Sequence, residues 1–153
     1  MPGLPAEVPP GTAGPGPGAV SRPELCVGAV IVHDDAIVLV RRGRPPGLGR
    51  WSVPGGRVEW GEPMAAAVVR EVGEECGLDV VVGAEVGWVE RIGDDHHFVI
   101  VDFFAVPLDP AQPLQAGDDA AEVRWVPLDE VTLLPLVPGL ADFLAEHRVI
   151  DLL

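Results

Sequence analysis

The chain has 153 residues, 48% of them hydrophobic, and a formal net charge of −14. That length suits one domain with a core of its own, and the hydrophobic share excludes a chain that is disordered throughout. An acidic chain gains nothing from the phosphate backbone of DNA or RNA, so polymeric nucleic acid is excluded as a partner.

Residues 1–23 are dense in Pro and Gly, with Pro2, Pro5, Pro9, Pro10, Pro15, Pro17 and Pro23 among Gly3, Gly11, Gly14, Gly16 and Gly18. Such a composition buries little, so this stretch is expected as a flexible N-terminal segment. It shows no charge-flanked proline motif and no basic start followed by an apolar run, so it does not read as a secretory signal. No apolar run anywhere reaches bilayer length, so no membrane contact is expected. Cys26 and Cys76 both lie in apolar segments and read as buried free thiols. Neither has zinc-ligand spacing, and the lack of a disulfide framework agrees with a cytoplasmic location.

The folded domain is expected over residues 24–153. Leu25 to Val32 and Ala36 to Arg41 are β-branched runs around His33-Asp34-Asp35, a hairpin pattern. A Gly/Pro loop follows to Arg50, then a short strand at Trp51-Ser52-Val53, stopped by Pro54-Gly55-Gly56. Pro63 to Cys76 reads as a helix, with Pro at its start and Gly77 at its stop. Ala65, Val68, Val69, Val72 and Cys76 recur at helical spacing as its buried stripe. Gly73 within it costs about 1 kcal/mol relative to Ala. Strands are expected over Val80 to Arg91, Phe98 to Val106 and Glu122 to Val126, a loop over Gln112 to Ala120, one helical turn at Asp129 to Val131, and a last helix from Pro138 to His147. Strands and helices in this order imply an α/β fold with a mixed sheet covered by helices.

Glu71, Glu74 and Glu75 are spaced to share one helix face, away from the apolar stripe. A solvated acidic face would look the same, because like-charge pairs cost only about 0.2–0.5 kcal/mol each. The flanks add to it. Gly55 and Gly56 let backbone approach a ligand closely, Arg70 precedes Glu71, and Glu62 stands at the helix entrance. Hard oxygen donors on a rigid element are what Mg²⁺ takes.

Gly56, five residues, Glu62, seven residues, then Arg70-Glu71-Val72-Gly73-Glu74-Glu75-Cys76-Gly77-Leu78 resembles a complete Nudix box. The resemblance spans roughly residues 24–147 and implies a Nudix α/β/α sandwich around a mixed β-sheet. It implies metal ligation by Glu71, Glu75 and the carbonyl of Gly55, and a role for Glu74 as ligand or water-activating base. Arg70 is implied to orient the carboxylates and Glu62 to support the loop or the metal shell. The implied reaction is hydrolysis of a P–O–P bridge with Mg²⁺, or Mn²⁺ in its place. Gly73 and Cys76 fill variable positions of the motif and leave the fixed ones intact.

Substrate signals lie outside the box. Arg41 to Gly47, Trp51 to Gly56, and Ala116 to Val126 resemble the small ADP-ribose pyrophosphatases of the family. That points to a small nucleotide substrate, ADP-ribose first, cleaved to AMP and ribose 5-phosphate. A MutT-like triphosphate pyrophosphohydrolase is the second reading, and a Nudix-like binding module without catalysis the third. The chain has no tyrosine, which argues against dinucleoside polyphosphate hydrolases. Arg41, Arg42 and Arg44 are candidate phosphate or ribose contacts, although a solvated loop would carry the same residues. Asp102, in an apolar strand with Ile100 and Phe104 on its face, needs a partner that a base amine or a backbone donor could supply. Asp118, Asp119 and Glu122 form a late acidic cluster, either an extra metal ligand or base or a solvated loop. Trp60 could stack on a base or pack its own loop, and His96-His97 read as a turn. Homodimerisation is compatible with the subgroup, without a visible interface signature.

Overall fold

The computed structural model describes residues 21–151, so the Pro/Gly-rich segment lies outside the described residues except for residues 21–23. Strands β1 (Glu24–His33) and β2 (Ala36–Arg42) form the expected hairpin. His33 pairs with Ala36 across it. Asp34 and Asp35 both take positive φ, 49° and 57°. This is the two-residue turn whose twist matches the strands, and Asp tolerates that backbone better than most residues.

Strand β3 (Trp51–Ser52) pairs antiparallel with β2. The Pro54-Gly55-Gly56 stop proves to lead into a further strand, β4 (Gly55–Arg57), antiparallel to β1 through Gly28↔Gly55, Val27↔Gly56 and Cys26↔Arg57. The glycines here permit a close approach, since a Cβ on Gly55 would collide with the Val27 carbonyl oxygen. Helix α1 (Met64–Cys76) is followed by the long hairpin β5 (Val80–Ile92) and β6 (His97–Pro107). Then come β7 (Ala120–Pro127), a 3₁₀ turn (Leu128–Leu133) and helix α2 (Leu140–Glu146).

The seven strands form one mixed sheet in the order β3-β2-β1-β6-β5, with β4 on β1 and β7 on β2. Strands β1 and β6 run parallel, from Glu24↔Phe98 to Ile31↔Ala105. Alternation along β1 and β2 sends side chains to two separate cores. On one face Val27, Ala29, Ile31, Val38 and Val40 pack under α1. On the other Val30, Ile37 and Leu39 pack under α2 with Trp51 and Phe143. This is the expected α/β/α sandwich.

Helix α1 departs from expectation in two ways. Pro63 is its cap rather than its first residue, extended at φ −63° and ψ 146°. The buried line is Ala67, Val68, Val72 and Cys76, whereas Ala65 and Val69 are exposed. The helix is thus turned further onto the sheet than the hydrophobic spacing suggested. Glu71 and Glu75 are therefore brought to the border of the buried stripe instead of pointing away from it.

Candidate active site

Arg70 organises the box. Its Nε and Nη2 donate to the two oxygens of Glu62 at 2.8 and 2.9 Å, a fork-to-fork pair. Nη1 donates to Glu71 at 2.8 Å and Nη2 to the carbonyl of Arg57 at 3.0 Å. One guanidinium thus ties the loop before α1 and strand β4 to the helix. These bonds hold the Glu62 carboxyl down at about 2.

Glu71 and Glu75, one helical turn apart, meet the glycine strand. A Cβ on Gly56 would lie 2.5–2.6 Å from the Glu71 carboxyl, so only glycine leaves it room. The Gly55 N–H donates to Glu75 at 3.3 Å. Burial, then the charge of Glu71, pushes the Glu75 carboxyl up to about 8. Burial also raises Glu71, against the pull of Arg70. Glu74 stands apart, with its side chain 61% exposed and 3.5 Å from Arg70 Nη1.

Two adjoining carboxyls that resist ionising together, against glycine backbone, are a donor set that a hard divalent cation would relieve. Among the described residues no three acidic, histidine or cysteine side chains converge on one point. The fit is therefore to two carboxylates completed by backbone oxygen and water, with Glu74 outside that pair.

A cavity of about 730 Å³ opens at this end of the sheet. Its strands order its contents. At the end of β2 it is lined by Arg42, Arg44, Pro45, Gly47 and Asp119; in the middle, at β1 and β4, by Gly28, Gly55 and Gly56 with Glu71 and Glu75; and at β6 and β5 by Phe98, Ile100, Asp102, Val89 and Arg91, facing Leu140 and Phe143 of α2. Asp102 is 5% exposed, and its Oδ1 has no hydrogen-bond partner. A Cβ at Gly28 would collide with that oxygen. Burial pushes the Asp102 carboxyl up to about 6.

The late acidic residues and the arginines divide. Arg42 and Arg44 line the cavity, with Arg44 paired to Asp119 at 3.0 Å. Arg41 does not line it. It pairs with Glu122 at 3.5 Å, and Glu122 also binds Arg124 at 3.0 Å. Asp118 and Trp60 are exposed. The sequence reading missed Arg57, Phe98 and Arg91, and passed over His96 as a turn residue. His96 stacks on Phe98 at 5.2 Å between ring centroids, and Arg57 stands 5.8 Å over the same ring. The signal that could have exposed them was the alternation of β6, Phe98-Ile100-Asp102, on one face.

This fold and this carboxylate helix define a metal-dependent hydrolase of phosphate anhydrides, and a NUDIX domain model matches residues 22–147. The chain belongs to the Nudix family and is a Nudix pyrophosphohydrolase of nucleotide derivatives, a family that works with a divalent metal. It is 42% identical over 140 residues to the putative 8-oxo-dGTP diphosphatase 2 of Mycobacterium tuberculosis (strain CDC 1551 / Oshkosh), covering 82% of this chain and 96% of that protein. It is 33% identical over 113 residues to the ADP-ribose pyrophosphatase of Methanocaldococcus jannaschii, covering 74% of this chain and 67% of that one. The crystal structure of a MutT NUDIX hydrolase from Burkholderia pseudomallei superposes with a TM-score of 0.72 at 30% identity, covering 81% of this chain and 97% of that chain. Among the described residues no helix is long and apolar enough to cross a membrane.

Proposed function

We propose that the chain hydrolyses the P–O–P bridge of a nucleoside diphosphate joined to a second group, with Mg²⁺ (or Mn²⁺), and that ADP-ribose is its substrate. The observation that carries this reading is the two-sided cavity. The Glu71–Glu75 pair lies between an arginine-bearing loop at β2 and an apolar, Asp102-bearing wall at β6. A substrate with bulk on both sides of its diphosphate uses both ends, whereas a nucleoside triphosphate has bulk at one end only. The relative from Methanocaldococcus jannaschii, an ADP-ribose pyrophosphatase by name, supports it.

Glu71, Glu75 and the Gly55 carbonyl would hold the metal. Bound there, it neutralises phosphate charge and lowers the pKa of water. Arg70 aims Glu71 and favours its ionised form against burial. Glu74, exposed and 3.5 Å from Arg70 Nη1, would take the proton of the attacking water. Arg42 and Arg44 face the terminal ribose, and Asp102 faces the base. Water adds to one phosphorus, the bridging oxygen leaves on the other, and AMP and ribose 5-phosphate result.

The second reading, a purine triphosphate pyrophosphohydrolase, is favoured by one observation. Asp102 lines the cavity, and the two oxygens of an ionised carboxylate match the adjacent N–H donors of guanine. The relative from Mycobacterium tuberculosis is named accordingly. A hydrolysis screen of ADP-ribose, NADH, dGTP and 8-oxo-dGTP, read by product mass, decides between them. ADP-ribose left intact while a triphosphate goes to monophosphate would overturn the first reading.

A further inference from the structure

Arg91 stands on the cavity wall without an assigned role. On the sheet face that α2 covers, β5 and β6 pair Val89 with Ile100 and Arg91 with Phe98. The Arg91 guanidinium extends toward the start of α2, where a methyl built on Gly139 would lie 3.9 Å from both Nη1 and Nη2. The other arginines of the cavity are engaged: Arg42 with the Pro46 carbonyl, Arg44 with Asp119, Arg57 with Glu24, and Arg70 with Glu62 and Glu71. Among the described residues, the Arg91 side chain makes no hydrogen bond or ion pair. Asp102, on the same wall, feels its charge only through space.

The cavity wall therefore carries the unpaired Arg91 guanidinium and, beyond it, the carboxylate of Asp102, one of whose oxygens is buried against Gly28. Between them Val89 and Ile100 lie side by side as an apolar floor, and Leu140 and Phe143 of α2 face that floor. A buried carboxylate without a partner, as at Asp102, is costly beside apolar surface unless a ligand completes it. A phosphate would satisfy the guanidinium and be repelled by Asp102. A sugar would satisfy both and waste the apolar surfaces. A nucleobase suits all three: flat apolar faces, an exocyclic amine, and a ring nitrogen or carbonyl oxygen.

We infer that Arg91 is a specificity-determining residue of the nucleoside end, its guanidinium donating to a ring nitrogen or carbonyl oxygen of a base whose exocyclic amine is accepted by Asp102. The inference rests on the proposed function only in requiring that the cavity take a nucleotide. Adenine, guanine and cytosine offer the amine and the acceptor. Uracil offers a single N–H between two carbonyls, which a carboxylate repels.

Calorimetric titration of the full chain with ADP, UDP and inorganic pyrophosphate, in chelator, tests this without turnover. The wild type should prefer ADP to UDP. Arg91→Leu should weaken ADP about 10- to 100-fold, the worth of one hydrogen bond from a charged donor, with the affinity for pyrophosphate held. Arg91→Lys should recover part of the loss, and in turnover the Arg91→Leu loss should fall on KM rather than kcat. Thermal melting of both variants checks the fold. Equal weakening of ADP and pyrophosphate would make Arg91 a phosphate ligand and overturn the inference, as would unchanged ADP affinity. If ADP-ribose resists hydrolysis yet ADP binding depends on Arg91, the proposed substrate falls and the base slot stands. If ADP-ribose is hydrolysed and Arg91→Leu binds like wild type, the slot falls alone.

Discussion

Arg70 has the most partners of any side chain in the box, and its substitution separates charge from geometry. Lysine keeps the charge but has no planar fork, so Arg70→Lys loses the two-pronged hold on Glu62 and cannot reach Glu71 and the Arg57 carbonyl at once. We expect kcat to fall about 10- to 100-fold, the usual cost of removing a partner that orients a metal ligand. Steady-state rates at saturating Mg²⁺ check it, and a Lys variant with wild-type kcat would contradict the orienting role. Asp102 separates the two substrate readings. Asn at this position offers one donor and one acceptor, which fits the N1 and amine of adenine, whereas guanine's paired N–H donors need two acceptors. Asp102→Asn should therefore spare ADP-ribose turnover if adenine is read, and depress 8-oxo-dGTP turnover about 10- to 100-fold if guanine is read. Loss of ADP-ribose turnover in Asn and Leu variants alike would count against adenine recognition. The residues around Arg70 were legible because helical spacing alone puts Glu71 and Glu75 one turn apart. Arg91 was not. Its place beside Phe98 depends on the β5–β6 register, which slips twice between Val82 and Gly87, and no local pattern announces those irregularities.

At the scale of elements, α1 joins the site to the fold. One side of it packs Val68, Val72 and Cys76 on the sheet, and the adjoining line carries Glu71 and Glu75. Its C-terminal carbonyls are satisfied by the following chain: Gly77 N–H reaches the Gly73 oxygen at 3.1 Å, and Gln115 N–H reaches the Cys76 oxygen at 2.8 Å. The loop before β7 is thus the stop of the helix as much as the lead-in to a strand. Hydrophobic spacing located α1 but misjudged its rotation, because Ala and Val occupy nearly every apolar position and mark no preferred side. Strand β4 escaped notice because two of its three residues are glycine and carry no β signal. Gly73 is exposed, and a methyl there would meet nothing nearer than the Leu78 carbonyl oxygen at 4.0 Å. Gly73→Ala should thus gain about 1 kcal/mol of helix propensity, or ~3–6 °C in Tm. Calorimetric melting measures it, and a lower Tm would mean that Gly73 serves some purpose in α1 that the spacing around it does not show.

Across the whole molecule, the site's unusual carboxyls set how stability depends on pH, and the metal should reverse the dependence. Glu75 rises from 4.5 to about 8 and Asp102 from 3.8 to about 6, each chiefly by burial. Between those limits the folded chain binds protons that the unfolded chain has released. Their contribution is therefore full below pH 4.5 and 3.8, and is lost as pH rises through about 6 and then about 8. Glu62 acts in the opposite sense. Lowered to about 2 chiefly by its hydrogen bond to Arg70, it stabilises above pH 4.5, and that share is lost as pH falls toward about 2. These groups together make the metal-free protein most stable in mild acid, with Tm falling from about pH 5 to about pH 8. A divalent cation needs Glu71 and Glu75 ionised, so binding competes with their protons and tightens as pH rises. The Tm gained on adding Mg²⁺ should be larger at about pH 8 than at about pH 6. Glu75→Gln should remove most of that gain and flatten the metal-free decline, leaving the Asp102 share at lower pH. Scanning calorimetry with and without Mg²⁺, on wild type and Glu75→Gln, reads both effects. Equal Mg²⁺ gains at the two pH values, or a metal-free Tm that climbs with pH, would show that Glu75 is already ionised in the empty site. Its burial beside Glu71 would then have to be offset by some other cation, and the crowding proposed to draw a metal to this helix face would no longer be there.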